Sequence, residues 1–304
     1  MRTSLIMSTY NGEDYIEEQL YSIINQTVQI DEVIIKDDCS SDKTVDIISD
    51  FIQEYGLSNH WRVICNKENL GWKRNFIEGM KMTSNDIVFL CDQDDIWYRD
   101  KVEASLKCFE NPEVKLLVTD FESFADEEGV STYVFHPKLG KGELSRVPCD
   151  IHFKDIRRPG CTYSFRRELL VYLDDLWFEG WPHDSYLWTV AIVKNGLYSL
   201  NRPTVHYRRH EGNNTPANEK SQQRRVEILE FKTKIANLVL DNKELLGISE
   251  QNIKNILRAK DFYGKRINSI KKGNFFVFFR MLFRIGDYPK PSSWAGDILA
   301  SRNN

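Results

Sequence analysis

The sequence predicts an α/β protein: a mostly parallel sheet flanked by helices on both faces, followed by a helical C-terminal extension. Short apolar runs rich in Val, Ile and Leu alternate with segments whose apolar residues recur at helical spacing. Polar residues collect directly after those runs, where sheets of this kind bind ligands beyond the carboxyl ends of their strands. With 304 residues, 41% apolar and 12% aromatic, the chain can bury a sizeable core.

The strand-like runs are Ser4 to Ser8, Glu32 to Lys36, Trp61 to Cys65, Ile87 to Cys91 and Val114 to Thr119. Their continuous apolar character fits strands covered on both faces. Between them, Ile16, Leu20, Ile23 and Ile24 mark one helical face, and Val45, Ile48 and Ile52 the next. Trp72, Phe76 and Met80 mark a third, and Val102, Leu106 and Phe109 a fourth. After Asp120 the pattern loosens through Gly129, Pro137, Gly140, Gly142 and Pro148, which predicts irregular chain until order resumes near Arg157. Glu219 to Lys272 has helical periodicity, with Val226, Leu229, Ile235, Leu238 and Leu245 among its apolar positions.

Four strand ends carry polar groups: Thr9, Tyr10 and Asn11; Asp37 and Asp38; Asn66 to Gly71; and Asp92-Gln93-Asp94-Asp95. Three carboxylates crowded past a buried strand repel one another and resist desolvation. A divalent cation resolves that conflict, and carboxylate oxygens are hard ligands suited to Mg2+ or Mn2+. A polar turn with Asp95 or Asp100 as helix caps is the competing reading. No G-x-G-x-x-G follows the first strand and no G-x-x-x-x-G-K-[ST] occurs, so dinucleotide and P-loop sites are not expected.

Six cysteines lie scattered without a C-x-x-C pair, and no charged-then-apolar leader opens the chain. Reduced thiols in a cytoplasmic protein are expected. The net charge of −4 conceals an asymmetry: Lys254 to Lys290 holds ten Lys/Arg against Asp261 and Asp287, net +8, leaving −12 elsewhere. Within that basic stretch Phe275 to Ile285 is nearly all apolar, too short and too charged to span a bilayer. The apolar block favours lipid over nucleic acid as a partner of residues 271–285. An interfacial helix at the inner face of the cell membrane is one reading. A helix packed on the domain or in a homo-oligomer interface is the other.

Taken together, S-T-Y-N at Ser8 to Asn11, I-I-K-D-D-C-S-S-D at Ile34 to Asp42, N-x-G-W-x-R-N at Asn69 to Asn75 and L-C-D-Q-D-D at Leu90 to Asp95 form a pattern. G-C-T at Gly160 to Thr162, W-P-H-D at Trp181 to Asp184 and Y-R-R-H at Tyr207 to His210 continue it. In this order they resemble the inverting family 2 glycosyltransferases of the GT-A fold, over roughly residues 3 to 215. C-D-Q-D-D-x-W and Y-R-x-H most resemble bacterial rhamnosyltransferases of surface-polysaccharide synthesis. The resemblance implies a GT-A nucleotide-sugar-binding and catalytic domain at 1–215 and a helical region at 216–304. It implies metal-dependent transfer of a sugar, with rhamnose from dTDP-rhamnose as the leading donor, to a saccharide or polyprenyl-linked acceptor. A UDP-hexose transferase, a nucleotidyltransferase lacking its usual Gly-rich loop, and a non-catalytic nucleotide- or metal-binding module are the alternatives.

By that resemblance Thr9, Tyr10, Asn11, Asp37 and Asp38 line the base pocket, while Asn69, Lys73 and Arg74 face base and phosphates. Lys73 is equally readable as a solvated helix residue. Asp92 falls to the ribose, and Asp94, with Asp92, Asp95 and His210, to the metal. Gly160, Cys161 and Thr162 border the donor sugar, and Arg208 and Arg209 the diphosphate; a solvated basic turn is the other account of Arg208 to His210. Gly212 to Thr215 fits a lid. Asp184 is the candidate general base, with a helix cap as the alternative. Trp181 and His183 are expected toward the acceptor, although buried core is the commoner place for such tryptophans. Two departures stand out: Cys39 where the family often has Gly, and His183 where an acidic residue usually precedes the base.

Overall fold

In the computed structural model, residues 1–125, 142–156, 158–210, 221–273 and 275–302 are described. The chain divides into two compact units. The first comprises Met1–Val147, Ile156–Ala191 and Asn195–Asn213; the second comprises Pro148–Asp155, Ile192–Lys194 and Asn214–Asn304.

The first unit opens with four strands, β1 (Thr3–Thr9), β2 (Glu32–Asp37), β3 (Trp61–Cys65) and β4 (Ile87–Asp92), each followed or preceded by a helix. The helices are α1 (Ile16–Ile24), α2 (Thr44–Glu54), α3 (Trp72–Met82) and α4 (Lys101–Phe109). The strands pair in parallel, with β1 between β2 and β4 and β3 outside β2. Side chains alternate across the sheet. Leu5, Met7, Val33, Ile35, Phe89 and Cys91 join the core formed with Ile16, Leu20, Ile48, Phe51, Val102 and Phe109 of α1, α2 and α4. Ile6 points the other way, against α3. A Cβ built on Gly79 would meet Ile6 Cδ1 at 2.3 Å, so the absent side chain is what lets α3 lie close on the strand.

Beyond β4 the sheet becomes mixed. The two-residue β5 (Ile96–Trp97), β6 (Leu116–Phe124), β7 (Leu144–Arg146), β8 (Tyr163–Arg166) and β9 (Leu197–Arg208) complete it. The strand order is β3-β2-β1-β4-β8-β6-β9-β5, with β7 pairing β9 from the side. β8 runs antiparallel between β4 and β6, while β6 and β9 are parallel. The predicted fifth strand is thus present, but it starts at Leu116 and runs on to Phe124. Short α5 (Leu173–Leu176) leads to α6 (His183–Val193).

The second unit contains α7 (Gln222–Asp241), α8 (Glu250–Lys272), α9 (Phe275–Leu282) and α10 (Pro291–Arg302). The single helical period expected from Glu219 to Lys272 is broken by a turn at 242–249. There Gly247 takes φ +61°, and the Ser249 hydroxyl caps α8 by accepting the Asn252 N–H. Gly273, at φ +61°, ends α8. The unit is tied by buried Asp297, whose carboxylate pairs with Arg266 at 2.8 Å and Arg225 at 3.1 Å.

Candidate active site

Register decides where the polar residues meet. Ser8 lies opposite both Lys36 and Asp92, and Thr9 opposite Asp37, so the ends of β1, β2 and β4 finish level. Cys65, at the end of β3, is opposite Asp37. The loops that follow therefore share one rim of the sheet.

On the β1–β2 side, hydrogen bonds stitch the loops together. Asp37 accepts from Thr9 Oγ1 at 2.9 Å, from the Ser40 amide at 2.8 Å and from Ser40 Oγ at 2.5 Å, which engages both its oxygens. Asp38 accepts from Asn66 Nδ2 and the Leu70 amide, both at 2.8 Å and both on Oδ1. Asn11, at φ +46°, takes the Ser41 amide on its side-chain oxygen. Cys39 adopts φ +67°, the left-handed conformation that glycine reaches most easily, so the turn after Asp38 has glycine-type geometry despite its side chain. Tyr10 is 48% exposed, and its backbone is clasped at both ends by the Gln93 amide. Gln93 thus couples the β1 loop to the carboxylate cluster.

The third loop is less convergent. Asn69 is exposed and holds its own turn through the Gly71 amide, and Arg74 pairs with Glu78 at 2.9 Å. Lys73 lies 5.6 Å from the Trp72 ring. Beneath the loop, Lys36 is buried and bonded to Asn66, which in turn donates to Asn75.

The β5–β9 pairing, Ile96 opposite His206, draws the β4 loop to the end of β9. His210 Nε2 sits 2.8 Å from Asp94 Oδ2, and its ring lies against Tyr15 at 4.7 Å. The Arg208 amide donates to Asp95 Oδ1 at 3.1 Å, and its guanidinium donates to the Asp94 carbonyl at 2.8 Å and to Glu18. Stacked over Tyr15 and Phe124, Arg208 is a buried brace for the aspartate loop, not an open phosphate contact. Arg209 lies over the Tyr207 ring.

Carboxylate oxygens of Asp92 and Asp95 and the Cys161 sulfur all lie within 4.8 Å of one another. Burial, then the Asp94 and Asp184 charges, push Asp92 up to about 7, and Lys101 opposes the shift. Burial, Asp94 and Asp92 likewise raise Asp95 well above the carboxylate range, and its Oδ2 is buried without a hydrogen-bond partner. A cluster that resists ionisation and holds an orphaned carboxylate oxygen fits a hard divalent cation. Cys161 does not fit as its ligand: burial raises the thiol pKa, and a protonated sulfur is a poor match for Mg2+ or Mn2+. Of that group, Asp92 and Asp95 are the residues that fit.

No sequence pattern singles out Lys101. Its buried ammonium donates to the Cys161 carbonyl at 3.0 Å and lies 4.6 Å from the Trp97 ring. Burial lowers it to about 8, while nearby Cys161, Cys91, Asp95 and Asp92 hold it up. A buried lysine is uncommon enough to be informative, but from sequence Lys101 reads as the first residue of an ordinary helix.

Asp184 stands in the first turn of α6, half-buried, its Oδ1 accepting its neighbour's Ser185 amide at 2.6 Å. A Cβ built on Gly160 would lie 3.4 Å from Asp184 Cβ and 3.0 Å from His183 Nε2. Gly160 adjoins Cys161, and the Asp184 charge acts on Asp92, so the base candidate lies near the aspartate cluster. Thr162 is buried, its hydroxyl donating to the Pro159 carbonyl. His183 is buried, stacked on Phe76 at 3.9 Å and edge-on to Trp72, with neither ring nitrogen hydrogen-bonded. Burial lowers its pKa to about 3, so the ring is neutral. Trp181, expected to face the acceptor, is wholly buried, stacked on Phe178 and bonded to Ser185 Oγ; it belongs to the core. The lid expected at Gly212 to Thr215, and Gly129, Pro137, Gly140 and Arg157, lie outside the described residues.

Known proteins give this geometry its name. A profile of glycosyl transferase family 2 matches residues 4–170, more than half of the chain. The chain belongs to glycosyl transferase family 2. It is therefore a glycosyltransferase, and the reading as a non-catalytic binding module falls away. This glycosyltransferase is 29% identical over 283 residues to the dTDP-rhamnosyl transferase RfbG of Shigella flexneri, covering 86% of this chain and 94% of that one. Among solved structures, Staphylococcus aureus TarS 1–349 in complex with UDP-GlcNAc superposes with a TM-score of 0.61 at 18% identity, over 99% of this chain and 90% of that chain. The mannosyltransferase PcManGT of Pyrobaculum calidifontis, in complex with GDP-Man and Mn2+, gives 0.53 at 16% identity, over 99% and 86%. These likenesses establish the GT-A fold of the glycosyltransferase.

Proposed function

We propose that this glycosyltransferase moves rhamnose from a dTDP-linked donor, with inversion, to a hydroxyl of a saccharide or polyprenyl-linked acceptor in surface-polysaccharide synthesis. The observation that supports the reading is the nearness of Asp184 to Asp92, whose carboxyl feels the Asp184 charge. The donor assignment rests on the 29% identity to the Shigella dTDP-rhamnosyl transferase along nearly its whole length.

Asp37 spends both oxygens on Thr9 and Ser40, so Asp38 is the carboxylate left to accept the base imide N–H, beside Thr9 and exposed Tyr10. Asp92 takes the ribose, and Asp94, Asp95 and His210 hold Mg2+ or Mn2+. The bound cation supplies charge stabilisation to the departing diphosphate. Arg208 keeps Asp94 and Asp95 in place through their carbonyl and carboxylate. Gly160 and Cys161 leave room for the sugar. Asp184 takes the proton of the acceptor hydroxyl as that oxygen attacks the sugar carbon opposite the leaving group. Neutral, buried His183 packs behind Gly160 and adds no charge beside Asp184.

A donor panel tests this. With Mn2+ or Mg2+ present, nucleoside diphosphate release should be fastest with dTDP-rhamnose. Preference for a UDP-hexose would replace the donor while leaving the chemistry standing, and metal-independent release would remove the proposed role of the aspartates.

A further inference from the structure

The second unit carries a surface unrelated to sugar transfer. On α9, Phe278 and Met281 are buried, and the Trp294 indole of α10 donates to the Phe278 carbonyl, which fixes the inward side of the helix. Phe279 is 50% exposed, Phe283 84%, and Leu282 is exposed beside them. Phe279 and Leu282 lie on α9 and Phe283 in the turn just past its end, and the two phenylalanine rings meet edge to face at 6.0 Å. Large aromatic side chains held in solvent as a pair are not explained by the fold they belong to.

Basic residues predominate around them. From Phe262 to Gly296 the sequence holds seven Lys/Arg and a single carboxylate, Asp287. Asp287 is buried and bonded to Arg258 and Arg284. Arg284 lies past the end of α9 and is spent on Asp261 and Asp287. Arg280 and Lys272 are exposed. Exposed cations flank the exposed aromatic pair, Asp287 is turned inward, and half-exposed Asp261 is paired with Arg284 and Lys265.

We propose that Phe279, Leu282 and Phe283 enter the interfacial layer of an anionic phospholipid bilayer while Arg280 and Lys272 meet its headgroups. Aromatic side chains suit that layer, and basic residues at its edge suit anionic lipid. A second copy of the chain is the poorer occupant, because a two-fold contact would set Arg280 and its neighbours against themselves. Among the described residues no helix is long and apolar enough to cross a membrane, so the contact is peripheral.

Cosedimentation of the full chain with vesicles tests the inference independently of the donor. Binding is expected to vesicles of mixed phosphatidylcholine and phosphatidylglycerol, and to fall with added salt. Phe279→Ser/Phe283→Ser should weaken it about tenfold or more, with unfolding temperature and turnover on a water-soluble acceptor unchanged. Arg280→Glu should remove the preference for the anionic lipid while keeping the fold. Failure to bind anionic vesicles, or equal binding by the double serine variant, would overturn the inference. So would a dimer in light scattering that the same variant disperses in the absence of any vesicle binding.

Discussion

Gly160 and Asp184 stand so close that a single methyl group on the glycine would touch the base candidate, 3.4 Å from its Cβ, and press on the adjoining His183 Nε2 at 3.0 Å. The glycine is therefore a spacer that sets where α6 presents its first turn.

Gly160→Ala should shift that turn by a few tenths of an ångström. Because small misplacements of reacting groups are costly, kcat is expected to fall about tenfold with little loss of donor affinity. Steady-state kinetics with donor titration checks it; an unchanged kcat would mean the turn yields without consequence.

His183, lowered to about 3 by burial from an ordinary value of 6.5, binds no proton in the folded state over most of the acid range. Below pH 6.5 the unfolded chain takes up a proton that the folded chain refuses, so this residue lowers stability progressively from 6.5 down to about 3. His183→Phe should make the unfolding midpoint less sensitive to pH in that window. Denaturant titrations at several pH values measure it, and parallel pH profiles for the two proteins would exclude the burial argument.

Lys101 holds down the pKa of a cluster that would otherwise bind protons still more firmly. Lys101→Met is expected to raise Asp92 above its value of about 7, and Mn2+ must then displace a proton held to higher pH. The pH midpoint of Mn2+ binding, followed by electron paramagnetic resonance, should move upward. No movement would show that the ammonium serves packing alone.

Asp94 and His210 touch at 2.8 Å, a geometry suited to sharing a cation. Asp94→Ala should weaken Mn2+-dependent donor binding about tenfold or more while leaving metal-free nucleotide binding near its original level. Calorimetry with and without Mn2+ separates the two, and equal donor affinity in both proteins would reassign the metal.

Much of this was legible in the sequence, and the reasons differ by element. Strands β1 to β4 announce themselves because both faces are covered and their residues are uniformly apolar. β8 escapes notice: Tyr163–Arg166 is four residues long, interrupted by Ser164, and becomes a strand through the flanks that β4 and β6 offer. Asp92, Asp94 and Asp95 were visible as a cluster, but the brace around them was not. Glu18 and Arg208 lie 190 residues apart, a distance no local pattern bridges. Trp181 misled for the opposite reason, since neighbours in sequence suggested a platform where tertiary packing with Phe178 and Tyr186 made core.

The central claim is that Asp184, near the aspartate cluster, takes the acceptor's proton. Asp184→Asn removes the basic oxygen with almost no change in shape. Donor affinity measured by calorimetry should persist, while transfer to acceptor falls about 10²- to 10⁴-fold. Transfer at close to the original rate, with the donor bound normally, would contradict the account.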